Sequence, residues 1–200
     1  MTEVVRPWRG VSAEDRRAQR RAQLLAACLD VVGERGVEGT TVDAIVEDAG
    51  LSKRYFYESF ADRPDVLAEA VDALMQRVQG RLVAAIAELE SPAERLRATV
   101  ATLVRALAED SRSARLYVEA GRSPAAEARR HQAFDVFSQF VVEDVLEASM
   151  DDARIAATAL LVVAGTTDVL ARWLAGGIDL SEVELVDLIA EIGDSLRWRT

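Results

Sequence analysis

The stretch LSKRYFYESF, residues 51–60, gathers hydrogen-bonding chemistry into ten positions. Lys53 is the chain's only lysine, Arg54 stands beside it, Tyr55 and Tyr57 carry phenols, and Phe56 and Phe60 complete the set. A guanidinium can donate two parallel bonds to guanine O6 and N7, whereas an ammonium and a phenol suit phosphate oxygens. At about 100° per residue, Phe56 and Phe60 share one helical face. Arg54, Tyr55 and Glu58 then fall on the opposite face, and Lys53 and Tyr57 line a flank between the two. The pattern fits a helix that offers its polar side to nucleic acid, and equally an amphipathic core helix with an ordinary solvated side. Periodicity weights the two evenly.

Other chemistry is scarce. One histidine and one cysteine in 200 residues cannot make a protein zinc site, and one cysteine cannot close an internal disulfide. Cys28 repeats at helical spacing with Leu24, Leu25, Val31 and Val32, the pattern of a core thiol. No metal set, Cys–His pair or phosphate-cradling loop is visible, so neither an enzyme nor a cofactor is expected. The first twenty residues are charged and lack an apolar run, which points to a cytoplasmic chain.

Charge is uneven. Residues 1–63 carry ten Lys+Arg against eleven Asp+Glu, and residues 64–200 carry fourteen against twenty-three. Arg6, Arg9, Arg16, Arg17, Arg20 and Arg21 lie near the start, where a basic arm can reach an anionic polymer.

The elements that must position these residues are punctuated clearly. Sparse glycine and proline, with abundant Ala, Leu, Val, Glu and Arg, predict helix throughout. Ser12 and Asp15 form a capping-box pattern opening a first helix that Gly36 can end. Thr41 caps a second helix closed by Gly50, and Ser52 caps a short third one starting at Lys53. Asp62 and Pro64 open a fourth helix with a stripe of Leu67, Ala70, Val71, Leu74 and Val78. Further starts at SPAE (91–94), near 112, at Ser123-Pro124, at the apolar run from Arg154, and at SEVE (181–184) bring the expected total to nine. The capped second helix, glycine turn and third helix read as a helix-turn-helix.

From Gln23 to Val71 the chain resembles the N-terminal domain of the TetR family of transcriptional regulators. ERG, TTV, AGLSK, and FY followed by F carry the resemblance, in order, over about a quarter of the sequence. It implies an all-α fold, with a three-helix DNA-binding domain over residues 1–62 and a larger effector-binding and dimerisation domain over 63–200. It also implies DNA contacts from Thr41, Ser52, Lys53, Arg54, Tyr55, Tyr57 and Arg63. Asp43 departs from the family, standing where members often present a basic residue, and Val46 replaces a small alanine.

The eighth helix, RIAATALLVVAGTTDVLARWL, has no charge from Ile155 to Thr167, a run too short to span a bilayer. An apolar helix of this kind needs covering on both sides, which a two-fold-related copy can supply. A homodimer through the eighth and ninth helices is expected, with Leu185, Leu188, Ile192 and Leu196 in one stripe. Tyr117, His131, Phe134, Asp168 and Trp173 are candidates to line an effector cavity between the fourth and eighth helices, although each has an ordinary core or rim role open to it; Asp168 can simply pair with Arg172. The expected function is a ligand-responsive regulator, a repressor that binds a palindromic DNA operator and is released by a small molecule. The alternative is an all-helical small-molecule-binding protein or enzyme with a vestigial helix-turn-helix.

Overall fold

The structure is a computed structural model that describes residues 12–120 and 124–195; the side chains of residues 124–131 lie outside that description. Arg6, Arg9 and Leu196 therefore lie outside it as well. Among the described residues the chain is all helical. Its helices are α1 (Ala13–Gly39), α2 (Val42–Asp48), α3 (Lys53–Ser59), α4 (Arg63–Ile86), α5 (Pro92–Ala108), α6 (Ser111–Ala120), α7 (Pro124–Phe140), α8 (Ala153–Leu174) and α9 (Glu182–Ser195).

The capping signals act where the residues predict. The Ser12 hydroxyl accepts from the Asp15 N–H at 2.9 Å, and the Asp15 carboxylate accepts from the Ser12 N–H at 3.1 Å. Thr41 accepts from Ala44 N–H, Asp62 from Asp65 N–H, and Gly50 takes the left-handed conformation (φ 62°) that ends α2. Ser181 and Glu184 exchange bonds across the start of α9. Ser52 occupies the cap position of α3 without using its side chain there.

Gly36 kinks α1 rather than ending it. Its φ of 75° and ψ of 171° interrupt the helix, which resumes through Val37 to Gly39. That backbone region is open almost solely to glycine. Val37 N–H donates to Glu119 Oε2 at 2.7 Å, and Arg115 Nη1 donates to the Gly33 carbonyl at 3.0 Å, so α6 grips α1 on both sides of the kink. Buried Thr40 closes the turn by donating its hydroxyl to the Gly36 carbonyl at 2.7 Å.

One hydrophobic cluster runs from Leu24 and Cys28 of α1 through Phe56 and Phe60 to Leu185 and Ile189 of α9. Within α4 the buried residues are Val66, Ala70, Leu74, Val78, Leu82 and Ile86, with Leu67 and Val71 on the flank. A strict four-residue repeat precesses by about 40° per step around a helix of 3.6 residues per turn. The buried line therefore winds about α4, facing α1 at its start and α5, α6 and α7 farther along.

Two features depart from the sequence reading. The spacing of Phe134, Phe137 and Val141 predicts a seventh helix that runs on through Val141, whereas residues Val141–Val145 form a π-helical turn closed by Leu146 N–H on the Val141 carbonyl. The apolar residues of α9 also split between two faces. Leu185, Val186, Ile189 and Ala190 are buried, and α9 packs on α5, whereas Val183, Leu188 and Ile192 are exposed.

Gly36→Ala tests the kink. A Cβ there would stand 2.6 Å from Glu119 Oε2 and 2.7 Å from Arg115 Nη2, in addition to the backbone strain. Urea unfolding should show a loss of roughly 1–3 kcal/mol. A change within 0.3 kcal/mol would show that the chain can straighten there at no cost.

Candidate nucleic-acid interface

Two phenylalanines and two arginines seat α3. Phe56 is fully buried and Phe60 nearly so, with ring centroids 5.6 Å apart. Each such burial contributes about 1.5–3 kcal/mol, enough to fix which way a two-turn helix faces. From α1, Arg21 donates to both carboxylate oxygens of Glu69 on α4 and to the Ser59 carbonyl at the end of α3. Its guanidinium also lies 4.4 Å from the Phe60 ring centroid. Arg20 stacks over Tyr55 at 4.5 Å, and Gln23 donates to the Ala49 carbonyl at the end of α2. Arg21 is thus a positioning residue and not part of a free basic arm. Its role was legible in one respect: Arg17, Arg21, Leu24 and Cys28 share one face of α1, the face that meets α3.

With the phenylalanines inside, the opposite surface of α3 is open. The Arg54 side chain is 84% exposed and that of Lys53 56%, and Tyr57 is 59% exposed. Tyr55 is less open because Arg20 covers its ring. Thr41 and Ser52, at the two helix starts, are also on the surface. The Thr41 hydroxyl accepts from the backbone and keeps its own proton to donate. Both cations on α3 are already paired with acids. Arg54 Nε meets Glu58 Oε1 at 2.9 Å, and Lys53 Nζ meets Asp43 Oδ1 of α2 at 2.7 Å. The bond to Asp43 and its negative charge hold the Lys53 pKa above its ordinary value.

Arg63 is placed differently from the other expected contacts. Its guanidinium is half-buried, Nη2 donates to the Val37 carbonyl, and Nε is buried without a hydrogen-bond partner. The Val37 carbonyl at the end of α1, which also accepts from Thr40 N–H, draws it inward, so here it braces α4 against α1 instead of facing outward.

Of the effector candidates, Tyr117 and Asp168 lie within electrostatic reach of each other, and Phe134 and Trp173 have separate surroundings. The Tyr117 phenol is enclosed, and burial pushes its pKa up to about 12 against the pull of the Thr167 hydroxyl beside it. Phe134 packs against the core. Trp173 donates its indole N–H to the Leu180 carbonyl at 2.7 Å, a brace across the turn after α8. Asp168 is exposed and pairs with Arg172 at 2.7 Å, and the His131 side chain lies outside the described residues. A groove of about 480 Å³ opens instead between α7 and the first half of α8, with Ser138, Gln139, Met150, Ala156 and Leu160 on its walls. Cys28 is buried and its thiol pKa is raised by desolvation to about 12, which suits packing and not nucleophilic chemistry.

A capped helix, a left-handed glycine turn and a short helix with one buried and one open face make a helix-turn-helix. The family described as bacterial regulatory proteins, tetR family, matches residues 24–70, the segment that builds it. Over residues 24–70 this chain is similar to the TetR family of transcriptional regulators. It is 31% identical over 82 residues to the HTH-type transcriptional regulator BetI of Brucella anthropi. That match covers 41% of this chain and 42% of the BetI sequence. Two solved structures share the fold over most of the chain. A transcriptional regulator from Rhodococcus sp. Rha1 is 26% identical with a TM-score of 0.69, covering 88% of this chain and 96% of its own. The regulator FadR from Bacillus subtilis, in complex with stearoyl-CoA, is 20% identical with a TM-score of 0.71, covering 86% and 96%.

The two sides of the TetR-type helix-turn-helix give separable mutants. Arg54→Ala should cost on the order of 1–3 kcal/mol per half-site and relax preference at one base position. Tyr57→Phe should weaken binding similarly across sequences. Titrations against single-base operator variants at fixed salt distinguish them, and uniform weakening by Arg54→Ala would make Arg54 a phosphate contact.

Proposed function

We propose that this protein is a dimeric, ligand-responsive repressor, binding a palindromic operator in the cytoplasm and released from it by a small-molecule effector. Residues 1–62 form the DNA-binding unit, and residues 63–200 hold the effector and the dimer interface. The observation that carries the reading is the seating of α3, which commits Phe56 and Phe60 inward and leaves Arg54, Lys53 and Tyr57 outward at the end of a capped helix-turn-helix. An α-helix so presented matches the width of the DNA major groove.

Dimerisation is supported by uncovered apolar surface. Among the described residues α8 is the one helix long and apolar enough to cross a bilayer, at 22 residues with mean hydropathy 1.5 over an 18-residue window. The thirteen uncharged residues are part of that longer helix, which ends in Asp168 and Arg172. Only 17% of the window is buried within the chain. Leu160, Leu161, Leu188 and Ile192 are between 43% and 71% exposed, on the two helices expected to meet a second copy. Large apolar patches of this kind on soluble chains mark interaction sites.

The effector acts by favouring one separation of the two recognition helices over another, so effector and operator affinities are linked with opposite sign. The Bacillus subtilis FadR complex makes a long-chain acyl-CoA the first ligand to try.

Selection of bound sequences from a random DNA pool should recover an inverted repeat, and adding stearoyl-CoA should lower affinity for it. Failure to enrich any sequence would leave the small-molecule-binding alternative. In sedimentation the protein should be a dimer, and Leu161→Glu should give a monomer of unchanged helicity. Val163 is unsuitable for that test because it faces its own chain's core at 9% exposure. A folded monomer from the unmodified protein would remove the dimer reading.

A further inference from the structure

Residues 41–60, the helix-turn-helix itself, carry Asp43, Glu47, Asp48 and Glu58 against Lys53 and Arg54. The motif that must approach a polyanion is therefore net acidic. Each cation that neutralises a phosphate gains affinity by releasing counterions, and this term supplies essentially all non-sequence-specific binding. An exposed carboxylate at the same surface opposes it.

Asp43 is such a carboxylate. Its side chain is 74% exposed in the first turn of α2, and Oδ1 lies 2.7 Å from Lys53 Nζ at the start of α3. It therefore shares an edge with Lys53. Stability gives a modest reason for an acid here, since a carboxylate in the first turn of a helix contributes about 0.3–1 kcal/mol. Exposed ion pairs are nearly neutral in folding free energy, and Thr41 already caps α2. On DNA the pair must separate if Lys53 moves to a phosphate, leaving a carboxylate beside the major groove that α3 would enter. Only hydrogen-bond donors can satisfy it. In that groove the base-borne donors are the exocyclic amino groups of cytosine N4 and adenine N6.

We propose that Asp43 is a specificity-determining residue of the DNA interface. It neutralises Lys53 in the free protein, and in the cognate complex it exchanges that partner for the exocyclic amino group of a cytosine or adenine. A sequence presenting guanine O6 or thymine O4 at that position leaves the carboxylate facing an acceptor and is rejected. The same acid weakens contact with arbitrary DNA, because a phosphate must compete with it for Lys53. The proposal rests on the DNA-binding reading above.

The test compares the full-length protein with Asp43→Ala against two sets of duplexes: single-base variants of the selected operator and one unrelated duplex of equal length. The alanine variant should lose its preference for cytosine or adenine at one position of each half-site, while the other positions keep their ranking. It should bind the unrelated duplex more tightly, so that the ratio of operator to unrelated affinity falls on the order of tenfold. Its thermal midpoint should fall by no more than about 4 °C, the loss of one acid from a helix's first turn. If every variant keeps the parent's ranking, whether binding strengthens or weakens overall, Asp43 reads no base and the proposal is overturned. If the parent itself enriches no operator, the DNA-binding reading has failed before Asp43 is at issue.

Discussion

The burial of Phe56 fixes which way α3 faces, and everything offered to DNA depends on it. A seven-residue helix has little stability of its own, because nucleation of so short a segment is unfavourable in water. Two aromatic rings one turn apart bind it to α1 and α2, and Arg21 ties its last carbonyl to α4. Rotation of α3 about its axis would bring either Phe56 into water or Arg54 into the core, and both are costly. The open face is thus a consequence of what the closed face cannot give up.

The same logic sorts what the sequence made legible from what it did not. Capping at Ser12, Thr41 and Asp62, and the glycine turn at residue 50, depend on residues within four positions of each other and were readable directly. So was the face of α3, since the two phenylalanines and the arginine lie on one short helix. Arg63 was not readable in this way: its inward turn depends on the Val37 carbonyl in the last turn of α1, 26 residues upstream. The split of α9 depends on α5, which touches only one side of it. Asp168 and Trp173 find partners close in sequence, and those local bonds take precedence over a shared cavity. Resemblance was legible in the N-terminal quarter, and carried no comparable information about the larger part.

The grip of α6 on α1 places a second joint between the two parts of the molecule. Glu119 and Arg115 bond to backbone groups on either side of Gly36, and Arg112 bonds to Asp30 a turn and a half earlier. These contacts are made to main-chain atoms as much as to side chains, so they constrain the path of α1 rather than its surface composition. The helix-turn-helix is held from behind by α6 as well as from below by α4.

The wound contact line of α4 gives that second support a mechanical meaning. A helix buried along a straight seam can slide along its axis like a rod in a sleeve. On α4 the seam precesses with each four-residue step, so the helix sits among its neighbours as a threaded shaft. Such a seam resists axial sliding along the 24 residues of α4, and it starts at Arg63, beside the turn that carries α3.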